Sequence, residues 1–555
     1  MSRAAMKTNV LGTGPLGQAA AYYRHACRLL QTDQTVPGTV VCPPAGFLAP
    51  DAMAPLLTAG AGGHNEESLL EWLAPFGAQP LQLQPSPLGD DAGIAESLPF
   101  AGYVANQGAP NERAQGFVTG VRALVKTSEP APAFIVTALS GVRQGQDFFP
   151  LISGTACASN PYVWSEYIDP QAGVACLALG LDLPLRDDTG DNFVRVAALG
   201  APQRRPEADF DDIAQHSQRF CFLLNEKTGQ VESAEAVDLL EKFPALPVDL
   251  LTSSGPSVLA PLHGGARALT FERLLTRTDF VGDLQRLLRI LSAGFNAPAE
   301  IAFTCNVDPA GAYQIHLHHA QPMADWPLLG DLREQITVGG ILNPARPAAG
   351  RPPPTVARVT TIPENILFAA EGAVLGRSRR QTLEQLIYVM PEKYAQLPRS
   401  ARFEVARLLG RLNRSLPAGR WALLGPGRWC TTSPELGLPT TFAEINRATA
   451  LVELVEMHTG LTPDVSRGIH IFNELVATGM LYLAIFPGHP HNALARERLA
   501  SAANRLPELA PDAARWAEVV RVLPAWALGG AMIELHADSR RQRAIAYAAG
   551  DRPGG

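Results

Sequence analysis

Cysteine spacing that marks a metal or disulfide site is missing from this chain of 555 residues. The seven cysteines (Cys27, Cys42, Cys157, Cys176, Cys221, Cys305 and Cys430) are scattered, and none forms a C-x-x-C pair. That excludes the common zinc patterns and a disulfide framework. Also missing is any apolar run of the ~20 residues that a membrane-spanning helix needs. The segment Met1 to Val10 is cationic but lacks an apolar core of signal-peptide length. Charge of one sign is not in large excess. A net charge of −7 points neither to nucleic acid nor to a membrane surface as partner. The expectation is a cytoplasmic protein with no nucleic-acid and no membrane partner.

Nucleophile contexts are missing too. Ser153, Ser217 and Cys430 have no G-x-S-x-G or Cys-His surroundings, so no catalytic residue is assigned. His316 and His318 sit two apart on an expected strand and face one way. His489 and His491 read as a loop. Two imidazoles can share a metal, but no third ligand is in view, so no metal site is expected.

What is present is length for several domains and an uneven distribution of structure signals. Lys7 to Leu11 reads as a short strand and Gln18 to Leu30 as a helix. Between them Gly12-Thr13-Gly14-Pro15-Leu16-Gly17 is formally a G-x-G-x-x-G turn. A dinucleotide site also wants an acidic residue ending the second strand. The expected second strand, Thr39 to Cys42, ends instead in Pro43-Pro44. Phe134 to Val136, Phe148 to Gly154 and Val174 to Gly180 are further strands by composition. Phe280 to Ala293 repeats Val281, Leu284, Leu287, Leu288 and Leu291 at helical spacing. Asn343 to Pro354, NPARPAAGRPPP, suits a stiff connector. Met532 to Leu535 is a late strand.

The densest motif is Leu423 to Trp429, an apolar strand running into Gly425-Pro426-Gly427-Arg428-Trp429. Ser433 to Pro439 follows, then Ser466 to Asn473 with His470. Glycines at 425 and 427 would let a ligand or another backbone come close. Arg428 would hold a carboxylate or phosphate, or else pair with an internal acid while Trp429 packs.

In this order, the motifs resemble the ATP-grasp half of the phosphoenolpyruvate synthase and pyruvate phosphate dikinase family, in the bacterial branch with a Gly-Pro-Gly-Arg-Trp domain. Leu11 to Ala19 looks like its glycine-rich turn, and Gln84 to Asp91 with Pro99 to Tyr103 like its Arg-Ser-Ser and Phe-Ala-Gly elements. Ile152 to Pro161 looks like the strand ending in Arg-Asn-Pro. Glu300 to Phe303 and His319 to Pro322 look like the paired strands reading Ile-Glu-Phe and Gln-Ile-Arg-Pro. The resemblance implies an ATP clamp between two α/β subdomains, with phosphate passed through a histidine on a swivelling domain.

The departures are directed. Ala19 stands where a Lys is expected, Gln84 and Ser159 where Arg is expected, and Gln321 replaces the final Arg. Ala302 replaces the metal-ligating Glu and His319 the Gln. A hydrogen bond to a charged group contributes about 1.5–3 kcal/mol. Loss of four cations therefore removes roughly 6–12 kcal/mol if the terms add. At about 1.4 kcal/mol per tenfold, a micromolar Mg-ATP site would retain no useful affinity. No Gly-Gly run leads into a Thr-His or Ser-His; His263 precedes Gly264-Gly265.

The resulting expectation is an α/β (α+β) protein. A degenerate ATP-grasp domain covers 1–330, a proline-rich linker 331–354, and a Gly-Pro-Gly-Arg-Trp domain 355–555. Ala19, Gln84, Ser159, Ala302, His319 and Gln321 become vestigial nucleotide-cleft positions. Gly425, Gly427, Arg428, Trp429 and His470 form a candidate second site for a small anionic ligand. The leading reading is an inactive scaffold or regulatory protein with a protein partner and no cofactor. Its alternatives are an ATP- and Mg-dependent phosphotransferase with a non-standard site, and a small-anion binding module.

Overall fold

The computed structural model describes residues 9–59, 66–86, 102–125, 132–181, 192–243, 245–256, 266–323, 365–456, 465–466, 471–486, 488–489 and 491–550. The linker at 331–354, His263 and His470 lie outside the described residues, as do Lys7, Thr8, 87–91 and 99–101. The chain divides into two compact units, residues 1–160 with 167–324 and residues 161–166 with 325–555. Both are mixed α/β.

In chain order, the elements that position the first unit's candidate site are β1 (Asn9–Leu11), α1 (Gly17–Thr32), β2 (Val40–Val41), β3 (Ala45–Leu48), β4 (Leu81–Ser86), β5 (Gly102–Val104), β6 (Ala133–Ala138), β7 (Ile152–Cys157), β8 (Val174–Ala178), β9 (Arg195–Ala198), α2 (Phe280–Phe295), β10 (Ala299–Val307) and β11 (Tyr313–Pro322). One sheet has the order β1-β3-β6-β4-β5, and a second has β9-β8-β7-β10-β11-β2. The helical spacing in α2 puts Leu284, Leu287, Leu288 and Leu291 in one buried cluster with Ile301, Phe303, Ile315 and Leu317. Each such side chain contributes about 1.5–3 kcal/mol by leaving water.

Two strand expectations need correction. Thr39 to Cys42 yields only Val40–Val41, and this strand pairs with β11 in the second sheet rather than beside β1. The parallel neighbour of β1 is β3, on the far side of Pro43-Pro44. Prolines have no N–H for a ladder, so the extended run breaks there and its halves enter different sheets. Phe148 to Gly154 likewise divides at Pro150, into Asp147–Phe149 of a four-stranded sheet and β7 of the six-stranded one.

The second unit carries β12 (Ile366–Glu371), β13 (Val374–Leu375), β14 (Arg379–Leu383), β15 (Gln385–Val389), α3 (Arg399–Ser415), β16 (Trp421–Pro426), β17 (Arg428–Trp429), β18 (Gly437–Leu438), β19 (Ala450–Leu454), α4 (Phe472–Thr478), β20 (Leu481–Ile485), β21 (Ala493–Leu494), β22 (Val520–Pro524), β23 (Met532–Asp538) and β24 (Arg543–Ala549). One sheet runs β13-β20-β19-β16-β15-β22, and its four middle strands are parallel. A sheet covered on both faces needs apolar side chains at successive positions, and Trp421 to Leu424 supplies them. Trp421 and Leu423 enter one core cluster, Ala422 and Leu424 the other. A five-stranded sheet has the order β14-β23-β24-β12-β21. Among the described residues, no helix is long and apolar enough to cross a membrane.

Candidate functional site

β1, the glycine-rich turn and α1 lead to β3 in a parallel crossover, and β3 is followed by Asp51. The carboxylate of Asp51 accepts hydrogen bonds from the N–H and hydroxyl of Thr13, each at 2.8 Å, and from the N–H of Gly14 at 3.0 Å. Those bonds hold its carboxyl down to about 2. Gly12 has φ +96°, and a Cβ there would lie 2.5 Å from Asp51 Oδ1. The amides that a phosphate would use at such a turn are thus engaged by the protein's own carboxylate. An acid near the end of the second strand does exist, but the expected strand was the wrong one.

A polar layer covers one face of the six-stranded sheet. On β10, Ile301, Phe303 and Cys305 enter the core, which turns Glu300, Ala302 and Thr304 to the opposite face. Their partners on β11 are Gln321, His319 and His316. The register slips between Ala302 and Phe303, so His318 is an extra residue, a β-bulge. The bulge leaves the consecutive His318 and His319 on the polar face with His316, while Leu317 and Ala320 enter the core. His318 Nε2 lies 2.9 Å from Thr304 Oγ1, and its Nδ1 lies 2.8 Å from Thr137 Oγ1 on β6 of the other sheet.

The structure brings Ala302, His319 and Gln321 together, with His319 Nε2 3.2 Å from Gln321 Oε1. Ser159 follows β7, whose Cys157 pairs with Glu300, so it lies at the same end of the sheet. Gln84 belongs to the five-stranded sheet, on β4, pairing with Ile135. Ala19 is on α1; the N–H of its neighbour Ala20 donates to Ser86 Oγ at 3.2 Å. Gln84 Oε1, Ser159 Oγ and His319 Nδ1 are buried with no hydrogen-bond partner among the described residues. Gln82, Ser153, Ala302, Thr304 and His318 line a cavity of about 10 Å³. That is room for about one water.

Burial decides the charge of this layer. It pushes the His316 imidazole down to about 4. His318 falls to about 3, through burial and then through the neighbouring His316. Burial lowers His319 to about 4, outweighing the Gln321 hydrogen bond and the Glu300 carboxylate. All three are neutral at pH 7, and no Lys or Arg among the described residues lines the cavity. The layer can donate and accept hydrogen bonds but cannot neutralise a polyphosphate. Among the described residues, no three His, Cys, Asp or Glu side chains are grouped to hold a metal.

In the second unit, Gly425, Gly427, Arg428 and Trp429 lie at the carboxyl end of β16. The backbone that comes close to the turn is the chain's own. Gly427 has φ +64°, and a Cβ there would sit 2.2 Å from the carbonyl oxygen of Leu436. β17 and β18 pair through Arg428 and Gly437, and the Arg428 N–H donates to Leu436 O at 2.9 Å. Trp429 is fully buried in the core. Its N–H donates to Glu453 Oε1 at 3.1 Å and its indole N–H to Val452 O at 3.4 Å.

Glu453, an acid inside the apolar run Ala-Leu-Val-Glu-Leu of β19, was not singled out from the sequence. Burial raises its pKa, against hydrogen bonds that favour the charged form. Its Oε2 accepts the Ser466 N–H at 3.0 Å and the Tyr482 hydroxyl. A charged residue in an otherwise unbroken buried strand was the available signal. No family model matches the chain, and no curated protein matches it in sequence.

Proposed function

We propose that this protein is a degenerate relative of the ATP-grasp half of the phosphoenolpyruvate synthase and pyruvate phosphate dikinase family, acting as a non-catalytic scaffold or regulatory, partner-binding protein. The observation that carries the reading is the polar face around Ala302, His319 and Gln321. Where a Mg-ATP site needs cations and an acidic metal ligand, these positions hold a methyl, a neutral imidazole and an amide. The adjoining cavity has about 10 Å³, far below the space a nucleotide fills. Phosphoryl transfer is mostly positioning and charge stabilisation, and this face supplies neither for a triphosphate.

The experiment is calorimetry and thermal shift with ATP, ADP, AMP, phosphoenolpyruvate and pyruvate, with and without Mg²⁺. A ligand at a hundredfold excess over Kd raises stability by about 2.7 kcal/mol, which a melt resolves. The expected result is no Mg-ATP binding at millimolar concentration and no ATP turnover. A micromolar Kd for Mg-ATP would favour the phosphotransferase with a non-standard site. Binding of phosphoenolpyruvate or pyruvate alone, lost in Arg428→Lys, would favour the small-anion module.

A further inference from the structure

A cleft of about 200 Å³ opens in the second unit outside the carboxyl ends of β19 and β20. It is lined by Leu454, Ile485, Phe486, Asn492, Leu494 and Arg496. In open α/β sheets, ligands bind outside the carboxyl ends of the strands, where loops can bring polar groups together. This cleft is smaller than the roughly 300–1,000 Å³ of drug-sized sites, so its ligand is small.

Among the described residues, Arg496 is the only charged one lining the cleft, and it is held in place from two sides. Its Nη1 donates to Glu392 Oε1 at 3.2 Å, and its Nη2 donates to Glu456. Glu392 lies in the helix Pro391–Ala395, which follows β15, and Glu456 lies just beyond β19. One guanidinium therefore spans the ends of two strands with β16 between them. A guanidinium has about five N–H donors in a fixed fork, so several remain for a ligand. Asn492 is engaged already, its Oδ1 accepting the Glu371 N–H at 2.5 Å, so it shapes the wall.

The charge balance narrows the ligand class. Glu392 and Glu456 stand behind Arg496 rather than in the lining, and the three bonded groups together carry one negative charge in excess, which disfavours a simple anion. A zwitterion avoids that penalty by offering an ammonium as well. The remaining lining of Leu454, Ile485, Phe486 and Leu494 favours an aliphatic body.

We propose that this cleft binds a small aliphatic zwitterion of the α-amino acid class. Its carboxylate meets the remaining N–H groups of Arg496, its ammonium lies at the rim toward Glu456, which is bonded to Arg496 Nη2, and its side chain rests on Leu454, Ile485 and Phe486. This is independent of the reading of the first unit.

The test is calorimetry on the full chain with L-leucine, 4-methylpentanoate and 3-methylbutylamine, each up to about 10 mM, a concentration that reveals millimolar affinity. The two latter probes lack the ammonium and the carboxylate respectively. Leucine is expected to bind at least about tenfold more tightly than either. Arg496→Lys keeps the charge but loses the fork, and should weaken leucine about tenfold. No heat with leucine would overturn the proposal. So would equal affinity for either half-molecule, or an Arg496→Lys protein that binds leucine unchanged. Should that variant fail to fold, the three-probe comparison on the unaltered chain still decides.

Discussion

Mild acid should destabilise this protein through the polar layer on β10 and β11. His316, His318 and His319 are held neutral by burial, at about 4, about 3 and about 4. In the unfolded chain each returns to about 6.5. A depressed folded pKa means that the unfolded state binds more protons between the two values. Stability is therefore complete above about pH 6.5 and is lost as pH falls toward the folded values. At pH 5, keeping one such imidazole neutral forgoes about 2 kcal/mol, being about 1.5 units at 1.36 kcal/mol each. Three together forgo about 6 kcal/mol, a large part of the roughly 5–15 kcal/mol of a typical domain. Carboxylates with ordinary or lowered pKa values titrate mostly below this window; Glu453, raised by burial, opposes the trend, and His536, lowered by burial, adds to it. Urea melts at pH 7.5, 6 and 5 would measure the loss. His318→Asn should reduce the pH slope by about one proton near pH 5, whatever it does to stability at pH 7.5. A stability change below about 2 kcal/mol between pH 7.5 and 5, or an unchanged slope in the variant, would refute the argument.

Gly427→Ala puts a Cβ 2.2 Å from Leu436 O in a left-handed backbone conformation. Left-handed backbone alone costs about 1–2 kcal/mol for a residue with a Cβ, so a urea melt should show a loss of at least about 2 kcal/mol. Asp51→Asn removes a carboxylate held at about 2 by the turn amides. That group's contribution is present above its ordinary value near 3.8 and lost as pH falls through about 2. The variant should show a shallower acid-unfolding slope between pH 4 and 2, by about one proton; an unchanged slope would mean that the carboxylate does not hold the turn.

Much of the local structure was legible because it rests on neighbours in sequence. The helix expected at Phe280 to Ala293 is Phe280–Phe295, and the run Phe134 to Val136 lies in the strand Ala133–Ala138. His316 and His318 were expected to share a face, which the Thr304 pairing bears out. The apolar run ending at Gly425 is a buried parallel strand, as its lack of polar alternation suggests.

What only the tertiary structure decided concerns pairing and burial. A slip of one residue at Ala302 and Phe303 brings His319 and Gln321 onto the face that His316 and His318 already share, and no local propensity specifies such a register. The choice of β3 over β2 as partner of β1 depends on segments distant in sequence, and it alone delivers Asp51 to the glycine turn. The sequence by itself determined which residues are apolar, which turns need glycine and which motif positions lack a cation. Whether three imidazoles are charged, and whether Arg496 reaches two glutamates at once, depends on desolvation and on distances across the fold. Those are set by long-range packing, because burial and proximity are properties of the assembled chain rather than of any segment in it.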